Sequence, residues 1–413
     1  MANLNETVNA DRVHIGIFGS RNAGKSSLIN AITNQEIAVV SDVKGTTTDP
    51  VSKAMELLPL GPVVIIDTPG FDDDDKFLGE KRVDRVKKVL NKVDIAVLVI
   101  DGNSGVGLYD LKLEEILIEK NIPYVIAINK CDLIETKESG LSDKKYENII
   151  SNFEKIKEKN KILYISAKKK FGIEELKEII AKLKPTNNKS IVGDIVKKGD
   201  LIILVTPIDE SAPKGRMILP QVQVLRNILD CNATALFTKE TELKQLLQSL
   251  GRKPDFVITD SQVFKVVDEI VEDDIPLTSF SILLARYKGF LKVALDGVKN
   301  IDIIKDGDRI LISEGCTHHR QCNDIGTTKI PKLLEKITGA KVNIETSSGT
   351  EFPDDLKKYK MIIHCGGCMV NDREMLYRMK CASDAGVPFT NYGIFIAMAH
   401  GILDRSVKDV PIK

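Results

Sequence analysis

The sequence predicts an α/β protein made of three successive units, each a mostly parallel sheet covered by helices. Three observations carry this reading. The chain has 413 residues, and at roughly 150 residues per domain that length favours about three domains over one. Short apolar runs rich in β-branched residues alternate with amphipathic segments along the chain, the signature of strand-helix-strand units. A polar stretch, 184–190 (Lys-Pro-Thr-Asn-Asn-Lys-Ser), has linker composition and interrupts the alternation.

The first unit is expected to contain strands at Val13–Phe18, Val63–Ile66, Ile95–Ile100, Tyr124–Ile128 and Ile162–Ile165, with helices such as Lys25–Ile32 and Gly172–Leu183 between or after them. A second alternation has strands at Leu201–Val205, Ala233–Phe237, Phe256–Thr259 and Pro276–Phe280, separated by helical segments such as Thr241–Leu250. No glycine-rich phosphate loop follows any of these four, so the middle unit shows no chemistry of its own. A third unit begins near Phe290, with strands at Arg309–Ser313, Lys341–Ile344 and Met361–His364. The domain boundaries expected from these patterns are 1–185, 195–290 and 291–413.

Composition narrows the function classes. Fifty-nine Lys plus Arg balance fifty-nine Asp plus Glu, so no net positive charge draws the chain to nucleic acid or anionic lipid. With 43% hydrophobic and 29% charged residues the chain has the make-up of an ordinary globular protein. The polar, acidic stretch 1–12 lacks the basic and apolar regions of an export signal, so a cytoplasmic location is expected. Ala385–Leu403 lacks Asp, Glu, Lys and Arg over nineteen residues, but its Pro, Asn, His and Gly residues predict a buried strand-turn-helix, and no membrane association is expected. Seven Cys in a reducing compartment are core residues, redox thiols or metal ligands rather than a disulfide framework. Their distribution is uneven: residues 316–413, under a quarter of the chain, hold five of the seven Cys and four of the five His.

The first predicted strand runs into Gly19-Ser-Arg-Asn-Ala-Gly24-Lys25-Ser26, a P-loop in its proper strand-loop-helix context. In such a loop backbone N–H groups from Gly19 through Asn22, Ala23 and Gly24 to Ser27 wrap phosphates, Lys25 reaches the β and γ oxygens, and Ser26 ligates Mg²⁺. Asp67-Thr-Pro-Gly70 follows the second predicted strand, where Asp67 can hold Mg²⁺ through water and the Gly70 N–H can meet the γ-phosphate. Asn129-Lys130-Cys131-Asp132 follows the fourth; Asp132 can accept hydrogen bonds from guanine N1–H and N2–H₂, which adenine cannot supply. Ser166-Ala167-Lys168 completes a base pocket.

With these motifs in order, Val13–Lys184 resembles the MnmE/Era-like class of translation-factor GTPases. By that resemblance Gly45-Thr46-Thr47-Thr48-Asp49 is switch I and Thr47 its Mg²⁺-sensing threonine. Asn22 matches an asparagine that in these relatives helps bind K⁺, a positive charge given elsewhere by an arginine finger. Phe71, not a water-orienting Gln, follows Gly70, so slow, K⁺-stimulated GTP hydrolysis is expected, with Lys25, Thr47 and Gly70 at the reacting phosphate. The run Asp72–Asp75 reads as a solvated switch II loop.

In the third unit one strand leads into Cys316-Thr317-His318-His319 and another into His364-Cys365-Gly366-Gly367-Cys368. Both sets follow strands, the usual end for sites in parallel sheets, and the two glycines let the backbone wrap two thiolates around one centre. Composition leaves the metal open, since these residues suit structural Zn²⁺ or a 4Fe-4S cluster with a weakly held fourth position. The whole pattern, a K⁺-type GTPase, a plain α/β middle unit and Cys-x-His with His-Cys-x-x-Cys, resembles the family of FeFe-hydrogenase maturation GTPases, HydF, over essentially the full length. That resemblance implies that Cys316, Cys365 and Cys368 ligate a 4Fe-4S cluster, with His318 or His364 near the fourth iron site. Asp209, after the first strand of the middle unit, is a further candidate fourth ligand. Cys322 and His319 read as supporting groups. Cys131, Cys231 and Cys381 read as small apolar fillers, and His400 as core.

The same resemblance implies a middle domain that mediates homodimerisation and a GTP-hydrolysing scaffold that assembles or delivers a di-iron precursor. Two radical-SAM maturases would be donors, apo-FeFe-hydrogenase the acceptor, and GTP, Mg²⁺, K⁺ and a 4Fe-4S cluster the cofactors. A different class stays open on the residues alone: a GTPase switch whose Cys/His unit is a zinc module acting in RNA modification or ribosome assembly. Zero net charge and the lack of interleaved aromatic and basic residues count against a nucleic-acid partner.

Overall fold

A computed structural model describes residues 11–34, 51–68, 86–133, 162–184, 189–208, 217–315, 325–349 and 351–412. The chain divides into two compact units, Met1–Asn187 and Asn188–Lys413.

In the first unit the strands are β1 (Val13–Phe18), β2 (Val51–Leu57), β3 (Gly61–Asp67), β4 (Ile95–Asp101), β5 (Tyr124–Asn129) and β6 (Ile162–Tyr164). They form one sheet in the order β2-β3-β1-β4-β5-β6, parallel except for β2, which runs antiparallel to β3. The apolar runs bury both faces. Ile15, Ile17, Val63, Ile65, Ile95, Val97, Val125 and Ala127 join one core cluster. Their sequence neighbours Phe18, Val64, Ile66, Ala96, Leu98, Ile126 and Ile128 join another. This is the period-two alternation of a strand covered on both sides. Leu28 and Ile32 of helix α1 (Lys25–Thr33) and Leu176 and Ile180 of the later helix Ile173–Lys182 close the first face. Leu113 and Leu117 of helix α2 (Leu108–Glu119) close the second. The helix Ile173–Lys182 is α3.

The strand order reverses at β1, whose neighbours are β3 and β4. The loop after β1 therefore opens at the carboxyl end of the sheet where flanking connections diverge, the place where open α/β sheets bind ligands.

The second unit holds two parallel four-stranded sheets. The first contains β7 (Leu201–Val205), β8 (Thr234–Thr238), β9 (Phe256–Thr259) and β10 (Leu277–Ser279) in the order β10-β9-β7-β8, with helices α4 (Leu219–Asp230), α5 (Leu243–Ser249), α6 (Phe264–Ile270) and α7 (Phe280–Tyr287). Helix α8 (Leu291–Val298) leads to the second sheet. It contains β11 (Arg309–Glu314), β12 (Asn343–Ser348), β13 (Met361–His364) and β14 (Phe389–Asn391) in the order β12-β11-β13-β14. Its helices are α9 (Ile330–Thr338), α10 (Asp372–Asp384), α11 (Tyr392–Ala399) and α12 (Leu403–Lys408). One continuous hydrophobic core, from Ile191 to Val410, serves both sheets.

The charge-free stretch near the end is the strand-turn-helix its composition predicts, except that His400, expected in the core, is exposed. Asn391 ends β14 and caps α11 by accepting from the N–H of Ile394 at 2.8 Å, and Ile394, Phe395 and Ala397 are fully buried. Among the described residues no helix is long and apolar enough to cross a membrane. In this sheet the order reverses between β11 and β13, so the loops that follow these two strands flank the crevice.

Candidate functional site

The turn out of β1 is set by local sterics. Gly19 has φ 145° and Gly24 φ 91°, conformations that cost a residue with a Cβ about 1–2 kcal/mol. Space forbids one as well: a Cβ on Gly19 would sit 2.1 Å from the Val99 carbonyl oxygen, and one on Gly24 2.2 Å from Asn129 Nδ2. Asn22, the candidate K⁺ ligand, is also left-handed, at φ 61°. Helix α1 then starts with no side-chain cap and no acidic residue in its first turn, so its leading N–H groups and positive dipole end suit an anion.

Lys25 lies at this helix start and is 7% exposed. Its Nζ donates to the carbonyls of Gly19 and Ser20, both at 2.9 Å. Burial lowers its pKa to about 8, against the pull of Asp67 and Asp110. Asp67, at the end of β3, is shifted up by burial, opposed by Lys25 and by a hydrogen bond with the Ser26 side chain. Ser26 and Asp67 thus meet beside Lys25. A desolvated ammonium, an uncapped helix start and a hydroxyl-carboxylate pair fit a polyphosphate with its Mg²⁺.

The residues expected to form a base pocket are joined to this loop by buried bonds. Asn129, 2% exposed, donates from Nδ2 to the Ala23 carbonyl at 2.9 Å and accepts the Ala167 N–H on Oδ1 at 3.0 Å. Ser166 Oγ donates to Asp132 at 2.6 Å and accepts the Lys169 N–H at 3.1 Å. The Ser166 hydrogen bond holds the Asp132 carboxyl below the usual range, with weaker help from Lys169 and Lys168. Lys130 extends to Asp101 at 2.7 Å, and Lys168 is exposed.

Asp110, in the first turn of α2 and 1% exposed, carries no motif signal. It accepts from Ser20 Oγ at 3.3 Å and from the Gly107 N–H at 3.0 Å, tying α2 to the phosphate loop. The only trace in the sequence is an acidic residue early in a helix, a common capping feature. Thr46, Thr47, Thr48, Gly70, Phe71 and Asp72–Asp75 lie outside the described residues.

At the second crevice β13 ends in His364, and Cys365 begins the loop. The Cys365 N–H donates to the Ser313 carbonyl of β11 at 2.8 Å. Its Sγ accepts the N–H groups of Gly315 at 3.1 Å and Gly367 at 3.3 Å. Gly367, at φ 66°, bends the chain towards Cys368, and both thiols are half-buried. Two backbone N–H groups aimed at one sulfur and a second thiol three residues on suit a soft metal centre such as an iron-sulfur cluster. Cys316, His318, His319, Cys322 and Asp209 lie outside the described residues. Among the described residues no three His, Cys, Asp or Glu side chains gather as a metal-binding group.

His364 is fully buried, and its ring is engaged on both sides: Nδ1 lies 2.8 Å from the Cys365 carbonyl oxygen and Nε2 3.1 Å from Arg378 Nη1. Burial, then Arg378 and Lys288, push its pKa down to about 3, against the hydrogen bond to Cys365. Arg378 and Lys288 were not among the expected site residues. Their side chains arrive from α10 and from the end of α7, and no spacing rule connects them with the thiol loop.

Three stretches of the chain match known family models. Residues 14–130 match the family model described as 50S ribosome-binding GTPase. Similar proteins include the tRNA modification GTPase MnmE of Desulforamulus reducens, 32% identical over 164 residues, 40% of this chain and 33% of that protein. GTPase Der of Wolinella succinogenes is 34% identical over 188 residues, 45% of this chain and 39% of Der. GTPase Era of Fusobacterium nucleatum is 32% identical over 167 residues, 40% of this chain and 54% of Era. The chain thus spans between a third and about half of the length of these relatives. Residues 191–289 match the hydrogen maturase F dimerization domain, and residues 292–409 the hydrogen maturase F tetramerization domain. The second description adds a higher level of self-association to the homodimer expected from the sequence. With a P-loop GTPase domain followed by both of its self-association domains, the chain belongs to the hydrogen maturase F family.

Proposed function

We propose that this protein hydrolyses GTP and serves FeFe-hydrogenase maturation as a scaffold that binds a 4Fe-4S cluster and carries a di-iron precursor to the apo-hydrogenase. The observation that carries this reading is the pairing, on one chain of the family, of an anion-ready P-loop with a thiol loop. Lys25 is buried at an uncapped helix start. Cys365 Sγ accepts two backbone N–H groups at the reversal of strand order.

For the nucleotide, the N–H groups from Gly19 to Ser27 and the Lys25 ammonium would bind the phosphates, and Ser26 with Asp67 would hold Mg²⁺. Thr47 and Gly70 are proposed to sense the γ-phosphate. Asp132 would select guanine, with Asn129, Lys130, Ser166, Ala167 and Lys168 forming the base pocket. Asn22 would ligate K⁺, whose charge offsets that developing on the phosphate oxygens.

For the cluster, Cys365, Cys368 and Cys316 would be the protein ligands, with His318 or Asp209 for the fourth iron. A bound 4Fe-4S cluster would supply an iron with an exchangeable position to which a precursor can attach. The partners in this reading are the radical-SAM maturases as donors and the apo-hydrogenase as acceptor, in the cytoplasm.

The test is anaerobic purification followed by metal analysis, GTP turnover in K⁺ and in Na⁺, and activation of apo-hydrogenase by loaded protein. About four iron per chain, faster turnover in K⁺ and hydrogenase activation dependent on Cys365 are expected. A colourless protein with one zinc per chain would overturn the cluster reading, and equal rates in the two salts the K⁺ role.

A further inference from the structure

A fully buried guanidinium lies beside the thiol loop. Arg378, on α10, is 0% exposed. Its Nε donates to Glu374 Oε1 at 3.0 Å, one helical turn earlier, and its Nη2 to the Gly349 carbonyl at 2.7 Å. Nη1 lies 3.1 Å from His364 Nε2, and the group sits 5.3 Å from the centre of the Phe352 ring. A buried ion pair is a poor device for stability alone, because taking both charges out of water is costly and well-packed apolar residues often do as well. What it does supply is geometry, since the planar fork fixes the directions of its donors, and Nε, Nη1 and Nη2 each reach a partner.

These bonds fix the ring between them. Arg378 can only donate, and the Cys365 carbonyl can only accept. His364 therefore carries its proton on Nδ1, which donates to the Cys365 oxygen, and offers the Nε2 lone pair to Arg378. A ring so held has no lone pair left for iron. Turning it towards a metal would take from the buried Nη1 of Arg378 its one partner, a costly loss for a charged group. The peptide it grips joins Cys365 to Gly366, and the next N–H, that of Gly367, donates to Cys365 Sγ. Orientation thus passes from Glu374 and Arg378 through His364 to the backbone that aims the thiol. At the far end of the loop a second buried cation, Lys288, donates to the Val370 carbonyl.

We infer that Arg378 is a positioning residue for the cluster thiols: through His364 it locks the Cys365 peptide and withholds the His364 ring from iron. The inference rests on the proposed cluster reading and concerns how this chain's own side chains prepare the site.

The test uses the full chain labelled with ¹⁵N-histidine and reconstituted anaerobically with iron and sulfide, in unsubstituted form and as His364→Gln, Arg378→Met and Arg378→Lys. Nitrogen hyperfine couplings and g-values of the reduced cluster are recorded, together with the rate of iron loss to a chelator. His364→Gln keeps a donor and an acceptor and is expected to leave the nitrogen couplings unchanged. Arg378→Met is expected to alter the g-values and speed iron loss roughly tenfold, the lower end for loss of an outer-shell partner. Arg378→Lys, which keeps the charge but not the fork, is expected to restore part of the difference. Loss of a histidine coupling in His364→Gln overturns the inference, as does an Arg378→Met protein whose spectrum and iron loss match the unsubstituted chain. Should Arg378→Met fail to fold, Arg378→Lys and His364→Gln are read by the same criteria. An unsubstituted chain with no 4Fe-4S signal overturns the cluster reading itself, whereas a normal signal insensitive to Arg378 overturns only the positioning role.

Discussion

Asn129 donates from Nδ2 to the carbonyl of Ala23 at 2.9 Å, so a residue at the end of β5 holds the phosphate loop from the side of the proposed base pocket. Its Oδ1 takes the N–H of Ala167 at 3.0 Å, which makes one buried amide the joint of three loops. Ala23 is fully buried and Ala167 is 7% exposed, so water cannot easily replace either bond.

Asn129→Ala is therefore expected to damage the GTPase unit before any question of guanine contact arises. Two buried backbone groups lose their partners, each at about 1–3 kcal/mol. The denaturation midpoint of this unit should fall clearly, and affinity for a fluorescent GDP analogue at least tenfold. A titration matching the unsubstituted protein would show that the phosphate loop keeps its shape without this joint.

Asp132 is held as a carboxylate by the Ser166 hydroxyl at 2.6 Å, so in the proposed reading it offers acceptors to a base edge. Asp132→Asn replaces one acceptor by a donor. Guanine N1–H and N2–H₂ then face an N–H group, and GTP affinity should drop about tenfold to a hundredfold for one or two such losses. Xanthine, with a carbonyl where guanine has its amino group, should gain in the same variant. Competition between GTP and XTP for the labelled-nucleotide site measures both. A variant that keeps its preference for GTP would show that guanine is chosen elsewhere.

The strands of the first unit were legible because burial on both faces leaves uninterrupted apolar runs, such as Ile95–Ile100 in β4. β2 was not, since it is an edge strand and Ser52, Lys53 and Ala54 are exposed, which gives the polar composition of a loop. The P-loop could be read because backbone geometry dictates its glycines. Asp110 could not, because its bond to Ser20 joins residues ninety positions apart. His364 shows the opposite limit. Its place in His-Cys-x-x-Cys suggested a candidate iron ligand, whereas the fold surrounds it with Arg378 and the Cys365 carbonyl and occupies both ring nitrogens. A motif reports which groups are near one another, but burial decides which of them have lone pairs to spend.

Lys25 gives the nucleotide site a pH dependence whose sign follows from its environment. Burial lowers its pKa to about 8 in the free protein, and bound phosphates would raise it by favouring the charged form. Binding a nucleotide is then coupled to proton uptake once the pH exceeds about 8. Affinity should be flat with respect to Lys25 below about pH 7.5 and decline above about pH 8, by up to tenfold per pH unit. Calorimetry in buffers of different ionisation enthalpy at pH 7 and pH 9 reads the proton directly. Equal proton uptake at the two values would exclude a lowered Lys25 as the cause.

Gly367 tests the thiol loop without touching a sulfur. Its φ of 66° is left-handed, which costs a residue with a Cβ about 1–2 kcal/mol, and a Cβ there would come 2.9 Å from Met375 Sδ. The methionine can yield, since its thioether is flexible, so Gly367→Ala should fold with a modest loss of stability. The strain falls on the peptide whose N–H donates to Cys365 Sγ. Iron retention after reconstitution should therefore suffer more than the melting temperature of the unit, with several-fold faster loss to a chelator and unchanged GTP turnover. Met375→Ala in the same chain removes the steric contact but not the backbone strain. If the double variant recovered full iron retention, crowding by Met375 rather than the left-handed turn would be what Gly367 serves.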